Sequence, residues 1–260
     1  MTDPERIRIF DSQGEAYTQA FQLFLDHTDQ KRNAKQWLQA VVDQLPARHV
    51  FIDAGAGNGE VTQAFASAFT RTIAIEPNGY LREQLEERLP TAQVLGLPIV
   101  SAQPAAQGDL VLCSHTFYYL PPAEWLAHLE RLVSWMTPTG MTIVVLQHRE
   151  SGCMNMLHHF FGHRFELRRT ADAFRAKHGD RYHVVTMLDS AHVQTANLGT
   201  AYAVAEFMLN LLEPPYAPTR QEVEAYVQAH FATQDGGYRI PVDQDFLHIR
   251  HRESSDSLTE

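Results

Sequence analysis

The sequence predicts an α/β fold: a doubly wound, mostly parallel seven-stranded sheet with an N-terminal helical cover and a helical insertion. Two observations lead to this prediction. After Pro46, short β-branched or aliphatic runs alternate with segments of helical periodicity. Several runs, such as residues 143–146, are apolar without interruption. Uninterrupted apolar strands are typical of parallel sheets that helices cover on both faces.

The predicted elements follow one another along the chain. Strands are expected in the segments HVFIDAG, RTIAIEP, TAQVLGL, DLVLCSHT and MTIVVLQH, with helices EVTQAFASAF, GYLREQLEERL and PAEWLAHLERLVSWM between them. Beyond Gly152 we expect helices over residues 154–161, 171–177, 200–212 and 220–231. A strand over residues 183–187 and a final strand pair from GGYRI and DFLHIR complete the pattern.

Length and composition predict one domain. The chain has 260 residues, of which 44% are hydrophobic and 20% charged, which is enough to bury a sizeable core. We expect this domain over residues 1–252, with the helical cover at 1–46, the insertion at 150–182 and a polar tail at 253–260. The cover begins with an amphipathic helix, because Tyr17, Phe21, Phe24 and Leu25 recur at helical spacing.

Charge and cysteine content restrict the partners. The formal net charge is −10, so nothing draws the chain to a phosphate backbone or an anionic membrane surface. The two cysteines, Cys113 and Cys153, do not make a disulfide framework and suit a reducing compartment. No apolar stretch approaches the roughly 20 residues of a membrane span, and the first residues do not resemble a signal peptide. We therefore expect a cytoplasmic protein that binds neither nucleic acid nor membrane.

A glycine-rich turn after the first strand is the most informative segment. The motif DxGxGxG runs from Asp53 through Gly55 and Gly57 directly into a helix. A dinucleotide fingerprint needs its third glycine at position 60, which is Glu60 here. Acids at positions 53 and 60 would also repel a pyrophosphate from the helix start. The motif therefore favours a ligand without phosphates, with an NAD-dependent oxidoreductase kept as an alternative.

Glu76 closes the second strand, seventeen residues beyond the last glycine of the turn. A carboxylate there accepts hydrogen bonds from the two hydroxyls of a ribose. S-Adenosylmethionine combines a ribose with a cationic sulfonium, an ammonium and no phosphate, which explains the acids at 53, 60 and 76. With this motif the sequence resembles the class I methyltransferases that use S-adenosylmethionine, and the expected fold is Rossmann-like. Asp53, Gly55, Gly57 and Glu76 are the predicted cofactor residues.

Beyond this half, the chain is similar to the histamine N-methyltransferase family. The likeness is carried by residues 17–29, the glycine turn, Glu76-Pro77, Tyr118-Tyr119, and residues 141–145, 162–165 and 246–249. The resemblance implies that Ser114 and, more weakly, Ser101 contact the cofactor. It also implies that Tyr17, Phe21, Tyr118 and Tyr119 line the substrate side, although Phe21 and Tyr119 also fit the spacing of core aromatic residues.

The chain departs from that family at the positions that hold the substrate. Gln30, beside Asp29, stands where the family has a glutamate, and His115 replaces a glutamine ahead of the tyrosine pair. Val242, flanked by Asp243 and Asp245, replaces an asparagine, and two aromatic positions become Met154 and His158. Gln30, His158 and Asp243 are therefore candidate substrate residues, and histamine itself is disfavoured as the acceptor.

His115 is the candidate catalytic residue. It follows the fourth strand at the sheet edge where ligands bind, and an imidazole can take the proton that a nucleophile sheds. It would act as a base or as a substrate anchor, with a passive pocket wall as the alternative. The histidines at 158, 159 and 163 lack the accompanying residues of a metal motif, so no metal site is predicted.

The predicted activity is transfer of the methyl group of S-adenosylmethionine to a nitrogen of a small amine or imidazole-like molecule. Oxygen or carboxyl methylation of a small secondary metabolite is the alternative within the class. A non-catalytic module that binds S-adenosylmethionine is an alternative from another class. The acceptor, the number of methyl groups transferred and the oligomeric state stay open.

Overall fold

A computed structural model describes residues 5–11, 14–211 and 216–252. The predicted polar tail and Leu212, the predicted end of one helix, lie outside these residues. The described helices are α1 Glu15–His27, α2 Gln30–Gln44, α3 Glu60–Ala66, α4 Gly79–Arg88, α5 Trp125–Ser134, α6 Gly152–Phe161, α7 Leu167–His178, α8 Leu198–Leu209 and α9 Arg220–Phe231. The described strands are β1 Val50–Ala54, β2 Arg71–Ile75, β3 Gln93–Leu95, β4 Gly108–Ser114, β5 Met136–Gln147, β6 Tyr182–Asp189, β7 His192–Thr195, β8 Tyr238–Pro241 and β9 Gln244–His251.

Seven strands form one sheet in the order β3-β2-β1-β4-β5-β9-β6. The pairs β1 with β2, β1 with β4, β2 with β3 and β4 with β5 are all parallel. The central strands are buried, with Phe51, Ile52, Ile73 and Val111 all at 0% exposure. Such burial explains why these strands read as apolar runs in the sequence. The predicted Rossmann-like, mostly parallel seven-stranded sheet with flanking helices is confirmed.

Side chains fix the ends of the helices that follow the strands. Asn78 caps α4 by accepting hydrogen bonds from the backbone N–H groups of Tyr80 and Leu81. Ser151 caps α6 in the same way, and the helix ends at Gly162 in the left-handed conformation. These caps determine where the chain leaves β2 and β5 to begin the next helix.

The prediction of a final strand pair from GGYRI and DFLHIR was wrong. DFLHIR lies in β9 of the main sheet, whereas β8, which contains the YRI of GGYRI, pairs with β7 in a separate antiparallel sheet. The helix predicted to extend to Met136 ends at Ser134, because Met136 begins β5 and pairs with Gly108. Neither α2 nor β7 was predicted.

The chain divides into two compact units, which are interleaved in sequence. Of the described residues, the first unit, here called the helical unit, comprises 5–11, 14–36, 147–166, 188–211 and 216–245, and the second, the sheet unit, comprises 37–146, 167–187 and 246–252. Of the predicted insertion, α6 belongs to the helical unit and α7 to the sheet unit. The single domain over residues 1–252 and its internal boundaries stay a prediction.

Among the helices of the described ranges, none combines the length and the apolar character needed to cross a bilayer.

Candidate functional site

The turn after β1 uses its glycines for two different purposes. Gly55, Gly57 and Gly59 all have positive φ angles, of 76°, 58° and 81°. A Cβ on Gly55 would lie 2.1 Å from Oγ1 of Thr116, and one on Gly59 would lie 2.6 Å from Cδ1 of Leu85. A Cβ on Gly57 would have no neighbour within 4 Å. The outer glycines therefore allow close packing, whereas Gly57 faces open space that a ligand can occupy.

Glu76 is held against this turn. The residue is only 6% exposed. Its Oε2 accepts a hydrogen bond from the Gly57 N–H at 2.8 Å, and its Oε1 accepts one from the Asn78 N–H at 2.8 Å. Each carboxylate oxygen has two acceptor positions, so the bonded oxygens can each accept another hydrogen bond. The backbone thus fixes the carboxylate in orientation and leaves it able to bind hydroxyl groups.

Asp53 is buried at the end of β1, with 2% exposure. Its Oδ2 accepts a hydrogen bond of 2.6 Å from the hydroxyl of Thr62 in α3. The interaction ties the strand to the helix that follows the turn. Glu60 is the first residue of that helix, at the position where a dinucleotide fingerprint has glycine. A direct cofactor contact of Asp53 stays a prediction.

The two candidate serines both belong to the sheet unit, one at the end of β4 and the other in the connection that follows β3. Ser114 ends β4, is partly buried and pairs with Val145 of β5. Ser101 is exposed in the connection after β3, where its N–H donates to the carbonyl of Pro98 at 2.9 Å. Both cofactor contacts stay predictions.

His115 is held in a strained backbone conformation. Its φ is +55°, and in the described part of the chain no other residue except glycine has a positive φ. Its N–H donates to the Val145 carbonyl at 2.9 Å, and its Nδ1 lies 3.1 Å from the hydroxyl oxygen of Tyr118. The two rings stack with centroids 5.8 Å apart. Strain of this kind concentrates at functional positions.

Tyr118 and Tyr119 differ in environment although they are adjacent. Tyr118 is 5% exposed, and Tyr119 is 68% exposed. The possibility that Tyr119 is a core residue is therefore wrong. The role of each tyrosine on the substrate side stays a prediction.

The cysteines do not provide a nucleophile in this region. Cys113 in β4 and Cys153 in α6 are fully buried. Burial raises the pKa of each thiol to about 12. A thiolate is therefore absent from both at neutral pH.

Two candidate substrate residues belong to an aromatic cluster of the helical unit. The rings of Tyr17 and Phe21 in α1 lie 5.6 and 5.7 Å from the ring of Phe207 in α8. Phe24 joins the same cluster at 5.6 Å from Phe207 and is buried. Tyr17 and Phe21 are only partly buried, so each retains surface that a ligand can contact.

The other candidate residues of the helical unit have different surroundings. Gln30 is 2% exposed, and its Nε2 donates to the Val242 carbonyl at 2.9 Å, an interaction that supports the fold. Asp243 accepts the N–H of Ala191 at 3.1 Å, and His158 is exposed on α6. Their contact with a substrate stays a prediction. No cluster of metal-binding side chains occurs among the residues that the structure describes.

A histidine–carboxylate pair in the helical unit was not predicted. Nδ1 of His148, directly after β5, lies 3.0 Å from Oδ2 of Asp245 in β9. The sequence showed Asp245 only as a neighbour of Asp243. Because 97 residues separate the partners, no local spacing indicates their contact.

Comparisons with known proteins agree with this geometry. Residues 52–144, which include the glycine turn, Glu76 and His115, match the family model described as "Methyltransferase domain". No curated protein matches the chain, so the resemblance to histamine N-methyltransferases receives no support and stays a prediction.

Solved structures share the fold at low sequence identity. The N-methyltransferase NodS from Bradyrhizobium japonicum WM9, in complex with S-adenosyl-L-homocysteine, has a TM-score of 0.56 and 13% identity, over 92% of this chain and 100% of that chain. A candidate methyltransferase from Bacillus halodurans C-125 has a TM-score of 0.59 and 9% identity, over 83% and 97%. A functionally unknown protein from Deinococcus radiodurans R1 has a TM-score of 0.54 and 16% identity, over 84% and 86%. Residues 52–144 are therefore similar to a methyltransferase domain, and the chain shares the Rossmann-like α/β fold of these solved structures.

Proposed function

We propose that the protein transfers the methyl group of S-adenosylmethionine to a nitrogen of a small amine or imidazole-like molecule. The observation that carries the cofactor part is the hydrogen bond between the Gly57 N–H and the Glu76 carboxylate. It places a buried carboxylate beside backbone that has open space above it. A ribose is recognised by such a carboxylate, and the adjacent part of a nucleoside ligand can lie against a residue without a side chain.

The charges of this region favour S-adenosylmethionine over a dinucleotide. Asp53, Glu60 and Glu76 surround the turn with carboxylates. They attract a sulfonium and an ammonium and repel a diphosphate. When bound, S-adenosylmethionine supplies an electrophilic methyl group. The structurally similar NodS was solved with S-adenosyl-L-homocysteine, which supports the same cofactor here.

Carboxylates of the helical unit support a basic acceptor. Burial raises the pKa of the Asp189 carboxyl, and the nearby charges of Asp29 and Asp243 raise it further. A cationic amine beside these groups would offset their mutual repulsion. The structurally similar NodS is an N-methyltransferase, which agrees with a nitrogen acceptor.

The chain's own residues would orient the acceptor. In this proposal Tyr17, Phe21, Gln30, Tyr118, Tyr119, His158 and Asp243 contact it, and Ser101 and Ser114 contact the cofactor. His115 acts as a base or as an anchor for the acceptor. Methyl transfer depends mainly on placing the nucleophile in line with the methyl group and the sulfur, at about 3 to 3.5 Å. An imidazole beside a tyrosine hydroxyl also suits a hydroxyl acceptor, so oxygen methylation is the second candidate.

Calorimetry with S-adenosyl-L-homocysteine tests the cofactor. Glu76→Ala should weaken binding at least tenfold, because hydrogen bonds to a charged partner contribute about 1.5 to 3 kcal/mol. Glu86→Ala is the charge-matched control, since Glu86 is exposed on α4. Absence of binding to the unsubstituted protein would overturn the proposal.

Mass spectrometry of products tests the acceptor. The protein and S-adenosylmethionine are incubated with matched sets of small amines, imidazoles, phenols and carboxylic acids. The proposal predicts that masses increased by one methyl group appear among the nitrogen compounds. Products only among phenols or carboxylic acids would replace nitrogen with oxygen as the acceptor atom, and binding without any product would indicate a non-catalytic module.

A further inference from the structure

Thr116, the second residue after β4, lies directly against the first glycine of the turn after β1. A Cβ on Gly55 would be 2.1 Å from Oγ1, 2.5 Å from Cγ2 and 2.8 Å from Cβ of Thr116, so the threonine side chain fills the space that the glycine leaves free. Both residues belong to the sheet unit. The contact therefore joins the connection after β4 to the turn that carries Gly57.

The hydroxyl of Thr116 faces three backbone carbonyl groups. Its Oγ1 lies 3.4 Å from the carbonyl oxygens of Ala54 and Gly55. The carbonyl oxygen of Ser114 is 3.2 Å away. A hydroxyl donates one proton, so these carbonyls share it. The hydroxyl thus bridges the ends of β1 and β4, and a side chain without it would remove this donor from all three carbonyls.

The two neighbours of β1 hold the turn from opposite sides. Strand β1 pairs in parallel with both β2 and β4. On the β2 side, the N–H of Gly55 donates to the carbonyl of Ile75 at 2.8 Å. On the β4 side, the carbonyl of Gly55 faces the hydroxyl of Thr116. The start of the turn is therefore fixed in position, and Gly57 follows it by two residues.

The backbone on either side of Thr116 determines where its side chain lies. His115, the preceding residue, donates its N–H to the carbonyl of Val145 at 2.9 Å and has a φ of +55°. Phe117, the following residue, is fully buried, with its ring 5.4 Å from that of Trp125. A left-handed residue other than glycine persists only where the surrounding structure imposes it. Here the left-handed His115 directs Thr116 to the glycine turn.

We infer that the Thr116 hydroxyl makes this threonine a positioning residue of the cofactor site: it fixes the start of the glycine turn and thereby keeps the Gly57 N–H on the Glu76 carboxylate. This inference rests on the proposed function. A Cβ on Gly57 would have no neighbour within 4 Å, so this part of the turn has no side-chain packing of its own. Its shape depends on the attachments on either side, which are Thr116 before it and Glu76 at its own N–H.

The position of the Gly57 N–H can be measured without a ligand. In amide NMR spectra of the full chain, its hydrogen bond to a carboxylate should shift the proton downfield, and loss of the signal in Gly57→Ala assigns it. Thr116→Ser and Thr116→Ala form a matched pair, since both lack the methyl group and only serine keeps the hydroxyl. We expect the signal to keep its shift in Thr116→Ser and to move upfield in Thr116→Ala. The same shift in both variants would overturn the inference.

Calorimetry with S-adenosyl-L-homocysteine measures the consequence for the ligand. Thr116→Ser should keep the Kd within twofold of that of the unsubstituted protein. Thr116→Ala should raise the Kd about threefold to tenfold, which is the range for the loss of one hydrogen bond. Thr116→Val keeps the branched shape without the hydroxyl and should match Thr116→Ala, and urea unfolding verifies that each variant is folded. A Kd for Thr116→Val equal to that of Thr116→Ser would overturn the role of the hydroxyl.

Thr142→Val is the control for removal of a threonine hydroxyl. Thr142 is fully buried in β5, and its hydroxyl bonds to the sulfur of Met136 rather than to the turn. This variant should leave the Kd for S-adenosyl-L-homocysteine within twofold. Absence of binding to the unsubstituted protein contradicts the proposed function. Binding with equal Kd values in Thr116→Ser and Thr116→Ala contradicts this inference alone.

Discussion

The backbone nitrogen of Gly57 lies 2.8 Å from Oε2 of Glu76, so one hydrogen bond joins the turn after β1 to the end of β2. The two parts of the proposed nucleoside site are therefore built as one arrangement. The parallel register supports it, since Ala54 and Ile75, the last residues of these strands, are paired. A substitution of Gly57 or of Glu76 should consequently affect cofactor binding.

Gly57→Ala should reduce cofactor affinity more than it reduces stability. The left-handed backbone costs an alanine about 1 to 2 kcal/mol, and the added methyl group would enter the space proposed for the ligand. Gly236→Ala is a matched control, because Gly236 also has a positive φ and open space around its Cβ position. We expect similar losses in urea unfolding for both variants. Only Gly57→Ala should weaken S-adenosyl-L-homocysteine binding, by tenfold or more in calorimetry. Equal affinities in the two variants would mean that the ligand does not lie against Gly57.

Gly55→Ala should instead destabilise the fold. Its Cβ would overlap the side chain of Thr116, with 2.1 Å to Oγ1 and 2.8 Å to Cβ. Backbone strain and overpacking together predict a loss of about 2 to 5 kcal/mol in the free energy of unfolding. Thr116→Ala in the same chain should recover part of this loss, because it removes the nearest atoms. Urea unfolding of the single and double variants measures the coupling, and additive losses would show that the two residues are not in contact.

Acid should destabilise the protein through His248. Burial, with a smaller contribution from the charge of Arg250, lowers the pKa of His248 to about 4 from its ordinary value of 6.5. The unfolded chain therefore binds a proton between pH 6.5 and 4 that the folded chain does not. The neutral imidazole therefore makes its full contribution to the free energy of unfolding above pH 6.5. As the pH falls to 4, this contribution of roughly 3 kcal/mol is lost.

His248→Gln isolates this contribution. His128 and His251 also have lowered pKa values, so the unsubstituted protein should lose stability in acid for several reasons. The variant should show a shallower decline of the unfolding free energy between pH 6.5 and 4 by urea titration. Parallel curves for the two proteins would contradict the assignment to His248.

Arg8 should stabilise the fold through its ion pair with the buried carboxylate of Glu206. Its guanidinium donates from Nε and Nη2 to Oε2 of Glu206, which is 1% exposed, whereas the Arg8 side chain is 60% exposed. Arg8→Ala removes the charged partner but leaves the Arg8 backbone N–H and the Tyr202 hydroxyl bonded to Glu206. We therefore expect a loss of about 1 to 3 kcal/mol in the free energy of unfolding.

Arg32→Ala serves as the control for this prediction. Arg32 is 69% exposed and lies 4.0 Å from Asp29, so its removal should change stability by less than about 0.5 kcal/mol. Thermal or urea unfolding of the two variants gives the comparison. Equal effects would show that the burial of Glu206 does not make its ion pair with Arg8 stronger than a surface pair.

Local patterns in the sequence predicted the parts of the fold that local chemistry determines. The glycine turn depends on φ angles that only glycine adopts easily, and the buried central strands require apolar residues, so both are visible in the sequence. β7 has four residues and no apolar run, and its pairing with β8 joins distant segments. No local pattern indicates such a pair, and β8 was therefore placed beside the wrong strand.

Long-range contacts also limited prediction of the site. Gln30 was assigned to the substrate from its place in the chain, but its amide holds the carbonyl of Val242, 212 residues away. Likewise, nothing near His148 in sequence indicates that Asp245 orients its ring. By contrast, the proximity of the glycine turn and Glu76 could be predicted from the sequence. The turn follows β1 and Glu76 follows β2, and these two strands are parallel neighbours.

Crystals soaked with S-adenosyl-L-homocysteine and NADH together provide the most direct measurement of the central claim. We expect S-adenosyl-L-homocysteine to lie against Gly57, with both ribose hydroxyls within hydrogen-bond distance of the Glu76 carboxylate. NADH at the turn, with S-adenosyl-L-homocysteine excluded, would contradict it.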